Sequence, residues 1–175
     1  MINTLTHYKG RYLSLHETNG WEYVRRRHRA DVVIVVALTP NNELLMVEQY
    51  RQPVDAHTIE LPAGLVGDVE GQENEALEVA AFRELEEETG FRADSLSLIL
   101  SGPTSAGLTD EMVHIFRATG LIQTGSGGGV EGEAIRVHQI PLSKLNKWLT
   151  QQVNQGRLLD PKIYAALFWL QTSSG

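Results

Sequence analysis

One short stretch of the chain concentrates carboxylates at a spacing that could bind cations. Residues 67–90 hold nine acidic side chains and one basic one, Arg83, so their charge is −8 in a chain of net charge −7. Glu84, Glu87 and Glu88 share one side of a helix in which each residue advances by about 100°. Like charges at i and i+4 repel, whereas hard divalent cations bind several carboxylate oxygens. The spacing favours a metal site over its alternative, a solvated acidic helix face.

A helix must present these carboxylates, and the sequence marks its two ends. We predict a helix from about Asn74 to Thr89, with Asn74 as the candidate N-cap and Gly90 as the C-terminal stop. Val79 and Phe82 lie opposite the carboxylates in the same projection. We therefore expect these two apolar side chains to face the core.

The rest of the chain predicts strands with a few further helices. The run from Asp31 to Leu38 is apolar and β-branched, which is typical of a buried strand. Further strands are predicted at residues 44–49, 58–61, 95–100, 112–118 and 134–140, and helices at 143–155 and 162–171, the last capped by Asp160-Pro161. Glycines make residues 125–129 a predicted mobile loop. The predicted fold class is α/β (α+β), with a mixed β-sheet sandwiched between helices.

The N-terminal residues predict a separate β-hairpin. Asn19-Gly20, between residues 11–15 and 21–25, is typical of a tight turn. We therefore predict an extension at 1–29 and a main domain at 30–175. The chain has no cysteine and no apolar run of the roughly 18 residues that a membrane span needs, so we expect a cytoplasmic protein without a membrane partner. The net charge of −7 argues against a general nucleic-acid binder.

The carboxylate helix and its flanks resemble a known family motif. Residues 83–91, RELEEETGF, are similar to the core of the Nudix box, REUxEExGU, in which U is a bulky apolar residue, and Glu75 stands at the box's spacing before Arg83. Ten residues separate Gly64 from Glu75, where the box has five. We interpret the difference as a five-residue insertion within residues 65–74, which leaves the spacing of the helical glutamates unchanged.

The resemblance implies the Nudix fold and a Mg²⁺-dependent hydrolase, with Mn²⁺ as a possible substitute. Glu84 and Glu88 would bind the metal directly, Glu87 would bind it directly or through water, and the carbonyl of Ala63 would complete the site. Arg83, together with Glu75, would orient these carboxylates.

Three further segments resemble the ADP-ribose pyrophosphatase branch of that family. Arg51 lies in VEQYRQP and would contact substrate phosphates. Glu60 begins ELPAG, the strand-to-loop segment, and is a second candidate substrate contact. Glu111 ends SAGLTDE, where it would bind a ribose or support a metal. In that last segment Ala106 replaces the proline that marks ADP-ribose specificity, which leaves other nucleoside-diphosphate sugars open as substrates.

A fourth segment contains the predicted general base. Residues 131–137 follow the glycine-rich loop and resemble the segment that holds the catalytic base in bacterial ADP-ribose pyrophosphatases. Matching backward from Ile135 makes Glu131 the predicted base and Glu133 the second candidate. A glutamate on a loop that closes over substrate suits this role, and the alternative is two solvated loop acids.

The resemblance also implies a homodimer in which the N-terminal hairpin crosses to the partner. Trp21 and Tyr23, two residues apart on one face of a strand, would either stack on the substrate's base or pack the dimer interface. Arg25, Arg27 and Arg29 alternate on one face, where they would meet phosphates or solvent.

Taken together, the resemblance implies hydrolysis of ADP-ribose or a related nucleoside-diphosphate sugar to a nucleoside monophosphate and a sugar phosphate. Two alternatives stay open: a Nudix enzyme acting on dinucleoside polyphosphates or RNA 5′ ends, and a non-catalytic nucleotide-binding module. The chain's acidity disfavours RNA, and the presence of every box glutamate disfavours the non-catalytic module.

Overall fold

The fold has thirteen strands and three α-helices within the part of the chain described by the computed structural model, residues 4–27, 31–68, 71, 73–130 and 132–172. The strands are β1 (Thr4–Lys9), β2 (Leu13–Thr18), β3 (Trp21–Arg26), β4 (Val32–Ala37), β5 (Glu43–Arg51), β6 (Ala56–Glu60), β7 (Ala63–Leu65), β8 (Phe91–Arg92), β9 (Ser95–Pro103), β10 (Met112–Thr119), β11 (Ile122–Gln123), β12 (Arg136–Pro141) and β13 (Leu158–Leu159). The helices are α1 (Leu77–Thr89), α2 (Leu145–Asn154) and α3 (Lys162–Thr172).

Two four-stranded sheets form the centre of the fold. One has the strand order β7-β4-β10-β9 and the other β12-β5-β6-β13. Strands β4 and β10 are parallel, as are β6 and β13, whereas the remaining pairs in these two sheets are antiparallel. The prediction of a mixed sheet is therefore confirmed.

Alternate side chains of β4 enter two different hydrophobic cores, because successive residues of a strand point to opposite faces. Val33 and Val35 belong to a core that includes Leu85 of α1. Ile34 and Val36 belong to the other core, which includes residues of α2 and α3. Helices thus cover both sides of the strands, as predicted, and the continuous apolar run of β4 is explained by burial on both faces.

Helix α1 carries its carboxylates on the buried side. The helix begins at Leu77 and its N-cap is Ala76, so the predicted cap at Asn74 is wrong, whereas Gly90 ends the helix as predicted. Its buried residues are Ala80, Ala81, Glu84, Leu85, Glu88 and Thr89. Val79 is 54% exposed, which makes the prediction that it faces the core wrong. A helical projection gives the angles between side chains, but the packing partners decide which side is buried.

The N-terminal residues form a three-stranded antiparallel sheet, β1-β2-β3. Its β2–β3 hairpin turns at Asn19-Gly20 as predicted, and β1 adds a strand that was not predicted. The backbone N–H of Val24 donates to the carbonyl of Leu108 at 2.8 Å, which joins this sheet to the loop before β10. The predicted boundary at residues 29 and 30 lies outside the described residues. Within the described ranges, no helix is long and apolar enough to cross a membrane.

Candidate functional site

A cleft of about 560 Å³ opens beside the carboxylate side of α1. It brings together nine side chains that were predicted from the sequence, namely Arg51, Glu60, Ala63, Arg83, Glu84, Glu87, Glu88, Glu111 and Glu133. These residues come from β5, β6, β7, α1 and the loops before β10 and β12, so the fold assembles in one place what the sequence spreads over more than eighty residues.

Glu84 and Glu88 are buried carboxylates on the floor of this cleft, with 7% and 3% of their surfaces exposed. The backbone N–H of Ala63 donates to Oε2 of Glu88 at 2.9 Å. Burial raises the pKa of Glu84 to about 7, and burial together with the nearby charges of Glu84 and Glu133 raises the pKa of Glu88 to about 8. Burial disfavours ionisation of these two carboxylates, and a bound cation would stabilise their charged forms.

Gly64 of β7 lies directly against the Glu84 carboxylate. A Cβ atom on Gly64 would lie 1.9 Å from the carboxyl carbon of Glu84. Any side chain at this position would therefore displace the carboxylate, which gives the ELPAG segment a physical reason for its glycine.

Arg83 is the central hydrogen-bond donor of the acidic cluster. Its Nε and Nη2 donate to the two oxygens of Glu75, each at 3.0 Å, and its Nη1 donates to Glu84 at 2.8 Å and to Glu87 at 3.2 Å. The hydrogen bonds with Arg83 lower the pKa of Glu75, and those with Glu75 raise the pKa of Arg83. One guanidinium thus bonds three carboxylates of the cluster, and the orienting role expected for Arg83 and Glu75 stays a prediction.

Arg83 also bonds the start of the loop between β7 and α1, where the insertion is predicted. Its Nη2 donates to the carbonyl of Leu65 and to Asp68, each at 3.1 Å, and the N–H of Gly67 donates to Glu75 at 3.1 Å. The residues that begin the longer loop are thus tied to the motif itself.

Arg51 and Glu60 form an ion pair that also lines the cleft. Nε and Nη2 of Arg51 donate to the two oxygens of Glu60 at 2.7 and 2.5 Å, and Thr58 also donates to Glu60. Burial acts to raise the pKa of Glu60, but the hydrogen bonds from Arg51 and Thr58 outweigh burial and lower it. The Arg51 side chain remains 44% exposed toward solvent. Glu60 therefore orients a guanidinium that still has surface available for an anion.

Sequence reasoning missed two further residues that line the cleft, Asp160 and Lys162, whose side chains form an ion pair at 2.6 Å. Both line the cleft from the start of α3, and the carboxylate of Asp160 accepts from the backbone N–H of Lys162 at 2.9 Å. The sequence did mark Asp160 as a helix cap, but a cap alone does not indicate that it faces a site.

Arg26 is a further residue of the cleft that sequence reasoning missed. Its Nε donates to Glu111 at 2.7 Å, while the neighbouring Arg25 donates to Asp110 at 2.6 Å. Because strand residues alternate between two faces, the sequence indicated Arg25 and Arg27 on one face. Arg26, which lies between them, is the residue that lines the cleft.

The remaining predicted residues do not line the cleft within a single chain. Trp21 is 63% exposed and donates from Nε1 to the carbonyl of Gly107 at 3.2 Å, and Tyr23 stacks with His16. Arg27 donates to the carbonyl of Gly10. Their expected roles involve a partner chain and stay predictions. Glu131 lies outside the described residues.

Comparisons with known proteins agree with this geometry. The chain is 34% identical to the methanol dehydrogenase activator of Bacillus methanolicus over 156 residues, which is 89% of this chain and 78% of that protein. It is 30% identical to the ADP-sugar pyrophosphatase of Mus musculus over 85% of this chain and 72% of the relative. The ADP-ribose pyrophosphatase of Bacillus subtilis (strain 168) is 42% identical to this chain over the part that matches. That part is 51% of this chain and less than half, 45%, of that enzyme.

The fold has a solved counterpart, and the family model matches most of the chain. A crystal structure of an ADP compounds hydrolase superposes with a TM-score of 0.73 at 22% identity, covering 97% of this chain and 90% of that one. The family model described as NUDIX domain matches residues 27–159, which include the whole carboxylate helix, Arg51 and Glu60. The chain therefore belongs to the Nudix family.

Proposed function

We propose that this Nudix hydrolase cleaves the pyrophosphate of ADP-ribose or a related nucleoside-diphosphate sugar, in the presence of Mg²⁺ or Mn²⁺, to a nucleoside monophosphate and a sugar phosphate. The observation that carries the proposal is the pair of buried carboxylates, Glu84 and Glu88, in a cleft that Arg51 and Lys162 also line. Such a cleft would hold a cation on the carboxylates and place an arginine and a lysine near the phosphates that the cation binds.

The donor set fits a hard divalent cation. Glu84 and Glu88 would hold the ion, with Glu87 as a direct or water-mediated ligand and the carbonyl of Ala63 completing the site. A bound cation would neutralise charge on the pyrophosphate and lower the pKa of the attacking water. Arg83 contributes by orienting the carboxylates, since it donates to both Glu84 and Glu87.

The other residues of the cleft bind substrate and move a proton. Arg51, fixed by Glu60, would donate to a phosphate. Glu131, the predicted base, or Glu133, which lines the cleft, would accept the proton of the attacking water. Glu111, held by Arg26, would contact the ribose or support a metal.

The N-terminal sheet is assigned to assembly and recognition of the base. In this proposal the protein is a homodimer, and residues 1–29 bring Trp21, Tyr23 and Arg27 toward the substrate of the partner chain. The large exposure of Trp21 supports a contact outside the single chain. Light scattering would give the mass of the dimer, and a stable monomer would remove this part of the proposal.

A substrate panel tests the proposed reaction. The wild-type protein with Mg²⁺ would be assayed on ADP-ribose, GDP-mannose, UDP-glucose, a diadenosine polyphosphate and triphosphorylated RNA, with kcat/KM measured for each. We expect the nucleotide sugars to be cleaved with the largest kcat/KM. Preference for the polyphosphate or for RNA would select the alternative substrates, and no cleavage by folded, Mg²⁺-binding protein would favour the non-catalytic module.

A further inference from the structure

The glycine-rich segment Gly125–Gly129 is attached to the C-terminal end of α1. The last carbonyls of a helix have no partner within the helix. Here the N–H groups of Gly128 and Gly129 donate to the carbonyls of Glu88 and Glu87 at 2.9 and 3.0 Å, and that of Gly125 donates to the carbonyl of Gly90 at 3.0 Å. The segment is thus bonded to the backbone of the same residues whose side chains form the acidic site.

The attachment requires glycine at one position in particular. Gly127 has a φ of +64°, and a Cβ atom there would lie 2.5 Å from the carbonyl oxygen of Glu88 and 2.4 Å from the carbonyl carbon of Thr89. Both are backbone atoms of α1 and cannot turn aside as a flexible side chain could. Gly127 therefore allows the two backbones to approach closely enough for the neighbouring hydrogen bonds.

The attached segment leads directly into the candidate base. After Gly129, the N–H of Val130 donates to the Glu133 carboxylate at 3.0 Å, and the N–H of Glu133 donates to the carbonyl of Val130 at 3.0 Å. Glu133 is thereby fixed to a turn that starts one residue after the last bond to α1. Glu131 falls within the same four residues of sequence.

We propose that residues Gly127–Gly129 are positioning residues for the reaction, because the bonds of Gly128 and Gly129 to the carbonyls of Glu88 and Glu87, which Gly127 permits, set the place of the general base relative to the metal-binding carboxylates. This inference rests on the proposed function, since it requires a base on the loop and a cation on the helix. The base and the cation would act on the same water, so the placement of the base relative to the residues that hold the cation controls the chemical step more than it controls binding.

Replacement of Gly127 tests the inference. We expect Gly127→Ala to lower kcat for the best panel substrate by about 10²-fold, the loss typical of a misplacement near 1 Å. KM and the Mg²⁺ concentration for half-maximal activity should change by less than about threefold, because the groups that bind remain. Gly156→Ala is the matched control: Gly156 also has a positive φ, +83°, but a Cβ there meets nothing within 4 Å. Its kcat should stay close to that of the wild type.

A second variant separates positioning from stability. Insertion of one glycine between Gly129 and Val130 keeps every bond to α1 but displaces the base, so the melting temperature should hold while kcat falls as in Gly127→Ala. A double variant would combine Gly127→Ala with glutamine at whichever of Glu131 and Glu133 gives the larger single loss. If the loop acts through the base, the double variant is no slower than the glutamine variant alone.

Several results would overturn the inference. The first is a kcat equal to that of the wild type in Gly127→Ala or in the insertion variant, and the second is a loss in Gly127→Ala that affects only Mg²⁺ affinity. The third is a double variant in which the two single losses in kcat multiply. The fourth is full activity in both the Glu131 and the Glu133 glutamine variants. Failure of the wild type to cleave any panel substrate would instead overturn the proposed function, and the inference with it. If the wild type is active and one of those four results is found, only the positioning role is overturned.

Discussion

Binding of Mg²⁺ should release protons from Glu84 and Glu88. Their pKa values of about 7 and about 8 arise from burial. At pH 7 the first group is about half protonated and the second about nine-tenths protonated in the metal-free protein, and both must ionise to bind a cation. Saturation with Mg²⁺ should therefore release about 1.4 protons per chain at pH 7 and only about 0.1 at pH 9.

Calorimetry measures this release directly. Titration of Mg²⁺ into the metal-free protein in two buffers of different ionisation enthalpy gives the number of protons from the difference in observed heat. Glu88→Gln should reduce the release at pH 7 to about half a proton or less, since only Glu84 remains and its like-charged neighbour is gone. Glu86→Gln is the matched control on the same helix, because hydrogen bonds from Arg92 and Thr124 keep the pKa of Glu86 low, and it should leave the release unchanged.

One result would refute the reasoning about these two carboxyls. If Mg²⁺ bound with clear saturation at pH 7 and released less than about 0.2 protons, both groups would already be ionised in the metal-free protein. Burial would then not govern their pKa values, and the cation would be binding to a preformed charged site.

Two further predictions concern the support of the carboxylates. Arg83→Gln leaves Glu75, whose side chain is 2% exposed, with the backbone N–H of Gly67 as its remaining donor, so urea denaturation should show a loss of about 1–3 kcal/mol in the free energy of unfolding. Gly64→Ala places a methyl group where the Glu84 carboxylate lies, so a Mg²⁺ titration should show an affinity weakened by about tenfold or more.

Each of these variants has a matched control. Arg92→Gln removes an ion pair whose arginine side chain is 68% exposed, and it should cost less than about 1 kcal/mol. Gly102→Ala adds a methyl group with nothing within 4 Å and should leave Mg²⁺ affinity unchanged. A stability loss in Arg83→Gln no larger than in Arg92→Gln, or wild-type Mg²⁺ affinity in Gly64→Ala, would contradict the roles assigned to these residues.

The local part of the site could be predicted from the sequence. Helical spacing alone brings Glu84, Glu87 and Glu88 together, and the family resemblance added Arg83 and Glu75, whose two hydrogen bonds the structure contains. These relations depend on regular backbone geometry within one segment, which sequence spacing determines directly.

Features that depend on distant partners could not be predicted. The two- and three-residue strands β7, β8, β11 and β13 exist because strands far away in sequence pair with them. Arg26 and Lys162 enter the cleft through tertiary packing that no local pattern records. The glycines of residues 125–129 predicted a mobile loop, because glycine has no side chain to pack. Composition does not show the backbone hydrogen bonds that attach this loop to α1.

The most direct measurement of the central claim follows ADP-ribose hydrolysis by wild type and by Glu88→Gln, with saturating Mg²⁺ and with chelator, and identifies the products by chromatography. We expect the wild type to form AMP and ribose 5-phosphate only when Mg²⁺ is present, and Glu88→Gln to lose about 10²-fold or more in kcat. Cleavage that persists with chelator, or an undiminished rate in Glu88→Gln, would contradict the assignment of a metal-dependent pyrophosphatase site to this helix.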